Sequence, residues 1–160
     1  MWHFFLAFTF LIACFVGSVE VSGFMTDEVQ REILLHMRAP RVAFAGLVGA
    51  MLGLSGFVYQ LVLRNPLADS FTTGASSSAA LGAVLAIGVG LPAAFVSPVA
   101  LVTGLGGLLI IYSVSKRNGS ISPVTMILAG VVLNIVASSC IGFVKFFFED
   151  SLTSIVFWLM

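Results

Sequence analysis

The side chains able to do chemistry in this 160-residue sequence are few, and their positions restrict what they can do. Seven Asp and Glu, seven Lys and Arg and two His give a formal net charge of zero, and half of the charged residues lie in Glu20–Arg41. There Arg38 and Arg41 bracket Pro40, where a rigid turn can present both guanidiniums to water. A planar guanidinium pairs a carboxylate through two hydrogen bonds, whereas a merely anchoring arginine needs only its charge at the headgroup level. A second group is Arg64-Asn65-Pro66 with Asp69. Asn65-Pro66 breaks a helix, Arg64 offsets the negative end of that helix, and Asp69 sits near the start of the next one. Those four residues read as a well-capped turn. Ser76-Ser77-Ser78 can hydrogen-bond across helices or face a pathway, and Asn134, deep in an apolar run, needs a partner because an unsatisfied amide in hydrocarbon is costly.

Enzyme chemistry is poorly served by this set. No apolar run has Asp, Glu, Lys, Arg or His in its interior, and His3 and His36 lie near or outside the ends. No GxxxxGK[ST] phosphate loop occurs, so the chain does not hydrolyse ATP. Cys14 and Cys140 have no neighbour at metal-ligand spacing and read as buried free thiols; no metal site or cofactor is expected. No basic run exists to bind nucleic acid.

Composition says what surrounds these residues. The chain is 59% hydrophobic and 9% charged, with mean hydropathy +1.14. A soluble domain needs roughly a quarter charged residues to clothe its surface, so the solvent here is lipid. A membrane helix needs ~20 apolar residues, which predicts an all-α, polytopic transmembrane bundle with spans at about 2–19, 42–63, 72–87, 93–114 and 123–144. The first is expected as an uncleaved helix, because no Lys or Arg precedes it and it outruns a signal core. No charge occurs from Ser70 to Ser115, and that stretch is divided at Gly88-Val89-Gly90-Leu91-Pro92. The polar segment 20–41 is expected to hold a short interfacial helix, started by Thr26-Asp27-Glu28, striped by Val29, Ile33 and Met37, and ended by Pro40. Asn118-Gly119 marks a tight turn. Ala45, Gly49 and Gly53 form a small-residue strip on the second span, where another helix can approach closely. Positive charge divides almost evenly between the two sides and does not orient the spans.

Residues 38–86 take the reading further. Arg38-Ala39-Pro40-Arg41, Leu54-Ser55-Gly56 with Gln60, Arg64-Asn65-Pro66-Leu67-Ala68-Asp69, Gly74-Ala75-Ser76-Ser77 and Leu81-Gly82-Ala83 follow one another in order. Ile127-Leu128-Ala129-Gly130 and Phe157-Trp158-Leu159-Met160 come after them. Together they resemble the FecCD-type permeases, the membrane subunits of ATP-binding-cassette importers for ferric siderophores, haem and cobalamin. The resemblance implies about five spans of a ten-span permease fold in a cell membrane, with a second permease copy, cytoplasmic ATPase subunits and a periplasmic or lipid-anchored binding protein as partners. It places 64–70 and 115–122 in the cytoplasm and 20–41 outside, and it makes Arg38 and Arg41 the docking point for glutamates of the binding protein. Ser76, Ser77, Asn134, Gly49 and Gly53 then become candidates for lining the pathway or packing helices. The cytoplasmic coupling segment of that family would lie beyond this sequence, so the chain alone is expected to insert without driving uptake. The rival reading is a small multi-pass channel, secondary carrier or assembly factor.

Overall fold

A computed structural model describes residues 2–16, 28–117 and 120–160. The expected helix start at Thr26-Asp27 and the turn Asn118-Gly119 lie outside the described residues. The first helix, α1 (Trp2–Phe15), falls within the first expected span. Next come α2 (Glu28–Glu32), a π-helical segment (Ile33–Arg38) and α3 (Ala39–Leu63), which run on without a break. After them stand α4 (Ala75–Gly88), α5 (Ala93–Ser115), a two-residue antiparallel ribbon of β1 (Lys116–Arg117) and β2 (Ser120–Ile121), α6 (Pro123–Phe147) and α7 (Leu152–Leu159). By length and composition, Glu28–Leu63, Ala93–Ser115 and Pro123–Phe147 are each able to cross a membrane. At 14 residues α4 rises only ~21 Å, and one extra turn, residues 70–73, precedes it.

The segment before α3 departs from two expectations. Pro40 does not end a helix, and of the stripe Val29, Ile33, Met37 only Ile33 packs inward. In the π segment the hydrogen bonds skip to the fifth residue, as the Ala39 N–H does to the Leu34 carbonyl. Such a wide turn relieves the clash of a proline ring with the preceding turn and absorbs its missing donor. Within it Leu34 is buried and Met37 is exposed, and Val29, ahead of it, is exposed as well.

The chain divides into two compact units, Met1–Leu54 and Ser55–Met160, with the boundary inside α3. In the first, buried Cys14 and Leu34 pack with Ile33, Ala39 and Val42. In the second, α4 is the central element, packed against α5, α6 and α7. Ala83 and Ala86 meet Val96 and Ala100 on α5, and Val84 meets Val144 and Ile155. A third cluster, Leu63, Ala68, Ile111 and Met126, lies beneath the turn after α3, with Tyr59 packed against it. Small residues make this possible, because lipid supplies no hydrophobic drive and close backbone approach must supply dispersion instead. A methyl group on Gly82 would collide with the Thr103 side chain. Cys140 departs from its expected burial. It is exposed on α6, whereas Cys14 is buried.

Candidate functional site

The residues singled out by type fall into two places. The first is the end of α1, in the first unit. There the Arg38 guanidinium donates to the carbonyl oxygens of Phe15 at 3.3 Å and Cys14 at 3.5 Å. These carbonyls belong to the last turn of α1, where a cation also offsets the negative end of the helix dipole. The π segment sets the register that points Arg38 at α1. Arg41, three residues on, is exposed.

The second place is the turn from Arg64 to Gly74. The Asn65 N–H donates to the Gln60 carbonyl at 3.2 Å, five residues back, which closes α3 as a Schellman motif. Glycine usually fills the left-handed position of that motif. Here Arg64 fills it, with φ at +50°. The left-handed conformation brings Cβ too close to the following carbonyl and costs a side-chain-bearing residue ~1 kcal/mol. Asn65 then spans the proline: its Oδ1 accepts from the Leu67 N–H at 3.0 Å. Asp69 and Thr72 cap one another, with the Thr72 N–H donating to Asp69 Oδ1 at 2.8 Å and the Asp69 N–H donating to Thr72 Oγ1 at 3.0 Å. This reciprocal pair has the form of a capping box on the turn before α4.

Gly74 joins that turn to α4 with φ at +68°. Its carbonyl accepts from Ser77 Oγ at 3.0 Å and from Ser78 Oγ at 2.9 Å, while Ser76 Oγ donates to Ser70 Oγ at 2.9 Å. Ser77 and Ser78 therefore bond to the residue that caps their own helix, and Ser76 bonds to the turn before it. A hydroxyl in an apolar helix is satisfied by a carbonyl three or four residues back and needs no second helix. Ser77 and Ser78 are buried, and Ser76 is half-buried.

The structure also brings together motifs that are far apart in the sequence. Gly130 of α6 lies against the backbone of Thr72 and Thr73, and its carbonyl oxygen would sit 3.1 Å from a Cβ on Gly74. So Gly130, with Ile127 and Ala129 packed against the cluster of Leu63 and Ala68, seats the turn that begins at Arg64, while Leu128 is exposed. Asn134, one turn further along α6, is half-buried, and its side-chain amide makes no hydrogen bond among the described residues. Gly49 and Gly53 differ: within the first unit, no atom outside their own stretch of α3 lies within 4 Å of where their Cβ atoms would stand. Gln60, quoted only as part of a motif, lines a groove with Phe57, Leu61, Arg64, Asn65 and Pro66. The exposed apolar pair Phe57 and Leu61, one helical turn apart, was the available signal for it.

The model of the FecCD transport family matches residues 5–160. The chain belongs to that family. It is accordingly a multi-pass membrane protein of a transport permease family, not an enzyme. The "probable iron chelatin transport system permease protein" of Helicobacter pylori is 40% identical over 131 residues, which cover 80% of this chain and 39% of that protein. The molybdate import system permease protein MolB of Haemophilus influenzae is 36% identical over 138 residues, covering 84% of this chain and 40% of MolB. A solved ABC transporter described as of metal-chelate type, in an inward-facing conformation, superposes with a TM-score of 0.83 at 32% identity, covering 96% of this chain and 49% of that one. The FecCD chain described here thus spans about two fifths of the length of these two curated relatives and half of the structural neighbour.

Proposed function

We propose that this FecCD chain forms part of the translocation pathway of an ATP-binding-cassette importer for a metal chelate of the ferric siderophore, haem or cobalamin class. The observation behind this reading is the match of the family model over residues 5–160. It is supported by relatives named for iron chelatin and for vitamin B12 import. The permease works as a dimer in the cytoplasmic membrane, with ATPase subunits on the inner side and a periplasmic or lipid-anchored binding protein on the outer side. ATP is hydrolysed on those separate subunits, and the cargo crosses unchanged. In this arrangement Arg64, Asn65, Pro66 and Asp69 form a cytoplasmic turn, and Arg38 and Arg41 lie at the outer surface, where they dock the binding protein. Asn134 faces the pathway: its amide lacks a protein partner in the second unit, and an amide in hydrocarbon is too costly to leave dry.

The test is reconstitution of a permease containing this sequence into proteoliposomes with its ATPase and binding protein. ATP-dependent uptake of a ferric hydroxamate, haem or cobalamin is the expected result. Uptake of molybdate alone would transfer the cargo to the oxyanion branch represented by MolB. Solute flux that is independent of ATP would sink the importer reading and favour a channel or secondary carrier.

A further inference from the structure

We infer that the groove at the end of α3 is a binding site for an anionic phospholipid, with Arg64 holding the phosphate. The reasoning starts from a local inconsistency. Arg64 occupies the left-handed position of the Schellman motif, where glycine closes the helix without a Cβ clash. Neither the hydrogen bonding of the cap nor the helix dipole requires arginine there. A lysine or arginine anywhere in the last turn would serve the dipole without left-handed backbone. Strain of this kind, when kept, points to a task for the side chain. Yet the exposed guanidinium makes no hydrogen bond or ion pair among the described residues.

What lies beside it indicates the missing partner. Arg64, Gln60 and Asn65 share a groove of about 330 Å³ with Phe57, Leu61 and Pro66. Asn65 Oδ1 is already taken by the Leu67 N–H, which leaves the Asn65 amide with N–H donors to offer. Donors from three side chains therefore gather at the helix end, and no acidic side chain lines the groove. On the other side, Phe57 and Leu61 are 62% and 67% exposed, and they continue the groove along a helix apolar enough to span the bilayer.

An amphiphile with an anionic head and an apolar tail matches that polarity end for end. A planar guanidinium grips phosphate oxygens in pairs, and basic sites at the ends of membrane helices attract anionic headgroups. An acidic peptide would satisfy Arg64 but leave the apolar shelf pointing into hydrocarbon unused. The lipid site goes beyond the transport reading and does not depend on it.

The experiment places a tryptophan reporter in the groove, Phe57→Trp, with Trp2→Phe and Trp158→Phe, in the full chain in nanodiscs. The discs are phosphatidylcholine with a minor share of bromine-labelled lipid, either phosphatidylglycerol or phosphatidylcholine. We expect the labelled phosphatidylglycerol to quench at least twice as strongly as labelled phosphatidylcholine. That excess should vanish in Arg64→Gly and Arg64→Gln and shrink in Arg64→Lys. Arg64→Gly removes the backbone strain, so its thermal midpoint in pure phosphatidylcholine should equal or exceed that of the parent by about 2 °C. Loss of quenching in that variant therefore cannot be ascribed to unfolding. Equal quenching by the two lipids in the parent, or an excess that survives Arg64→Gln, overturns the proposal. So does quenching by neither lipid, which would mean that protein covers the groove. Displacement of the labelled phosphatidylglycerol by excess inorganic phosphate would make the groove a soluble-anion site and overturn the lipid assignment as well.

Discussion

Replacing Gly130 by alanine tests whether the turn after α3 is seated on α6 as described. A methyl group there would collide with the Thr72 carbonyl oxygen and lie 2.9 Å from both Thr72 C and Thr73 Cα. These are backbone atoms, so no rotamer change relieves the contact. Alanine gains about 0.8–1 kcal/mol over glycine in a helix interior. Overpacking costs about 1–3 kcal/mol, and moving Thr72 would also open the capping pair with Asp69, worth about 1 kcal/mol. Summed, Gly130→Ala should destabilise the protein by about 1–3 kcal/mol. The controls are Gly49→Ala and Gly53→Ala, where a Cβ meets nothing within the first unit outside its own stretch of α3. There only the helix-propensity gain remains, so both should be neutral or stabilising by up to about 1 kcal/mol. Thermal or denaturant-driven unfolding of the purified protein in detergent, followed by helical circular dichroism, measures all three. If Gly130→Ala is as well tolerated as Gly49→Ala, the turn is not held against α6 and the packing argument is wrong.

Two further outcomes follow from the arginines and from the topology. Arg38→Ala should lower both the thermal midpoint, by removing the bonds to the last carbonyls of α1, and the rate of binding-protein association; Arg41→Ala should lower association alone. A matching loss of stability in both variants, or unchanged association in both, would refute that division of roles. Single cysteines at Glu28 and Ser120, in a chain from which Cys14 and Cys140 have been removed, should react differently with an impermeant thiol reagent on intact cells. Glu28→Cys should label and Ser120→Cys should not, and the reverse pattern would invert the proposed orientation.

Most of the helices could be read from the sequence because apolar run length is a direct consequence of bilayer thickness. The expected ends of the third, fourth and fifth spans stand close to Ala75–Gly88, Ala93–Ser115 and Pro123–Phe147. An anion near a helix start, as at Asp69, is expected from a local rule that needs no tertiary knowledge, whereas its reciprocal pairing with Thr72 is seen only in the structure. The π segment was not legible in the sequence. Period counting assumes one pitch, and Ile33–Arg38 changes the pitch just ahead of a proline that by itself reads as a stop. That deviation let the helix continue through Pro40.

Arg38 shows how far such a local change reaches. By motif alone Arg38 and Arg41 look equivalent, two guanidiniums flanking a proline. In the structure the wider turn directs Arg38 onto the carbonyls of Phe15 and Cys14, while Arg41 remains exposed. A partner that takes Arg38 by its carboxylate must compete with bonds that already exist, whereas one that takes Arg41 meets only water. The same reasoning separates Gly130 from Gly49 and Gly53. All three are glycines in apolar helices, and only the position opposite the Thr72 backbone makes one of them irreplaceable within this chain. Spacing supplies candidates, but the close approach of a segment nearly sixty residues away decides among them, and no window of sequence contains that distance.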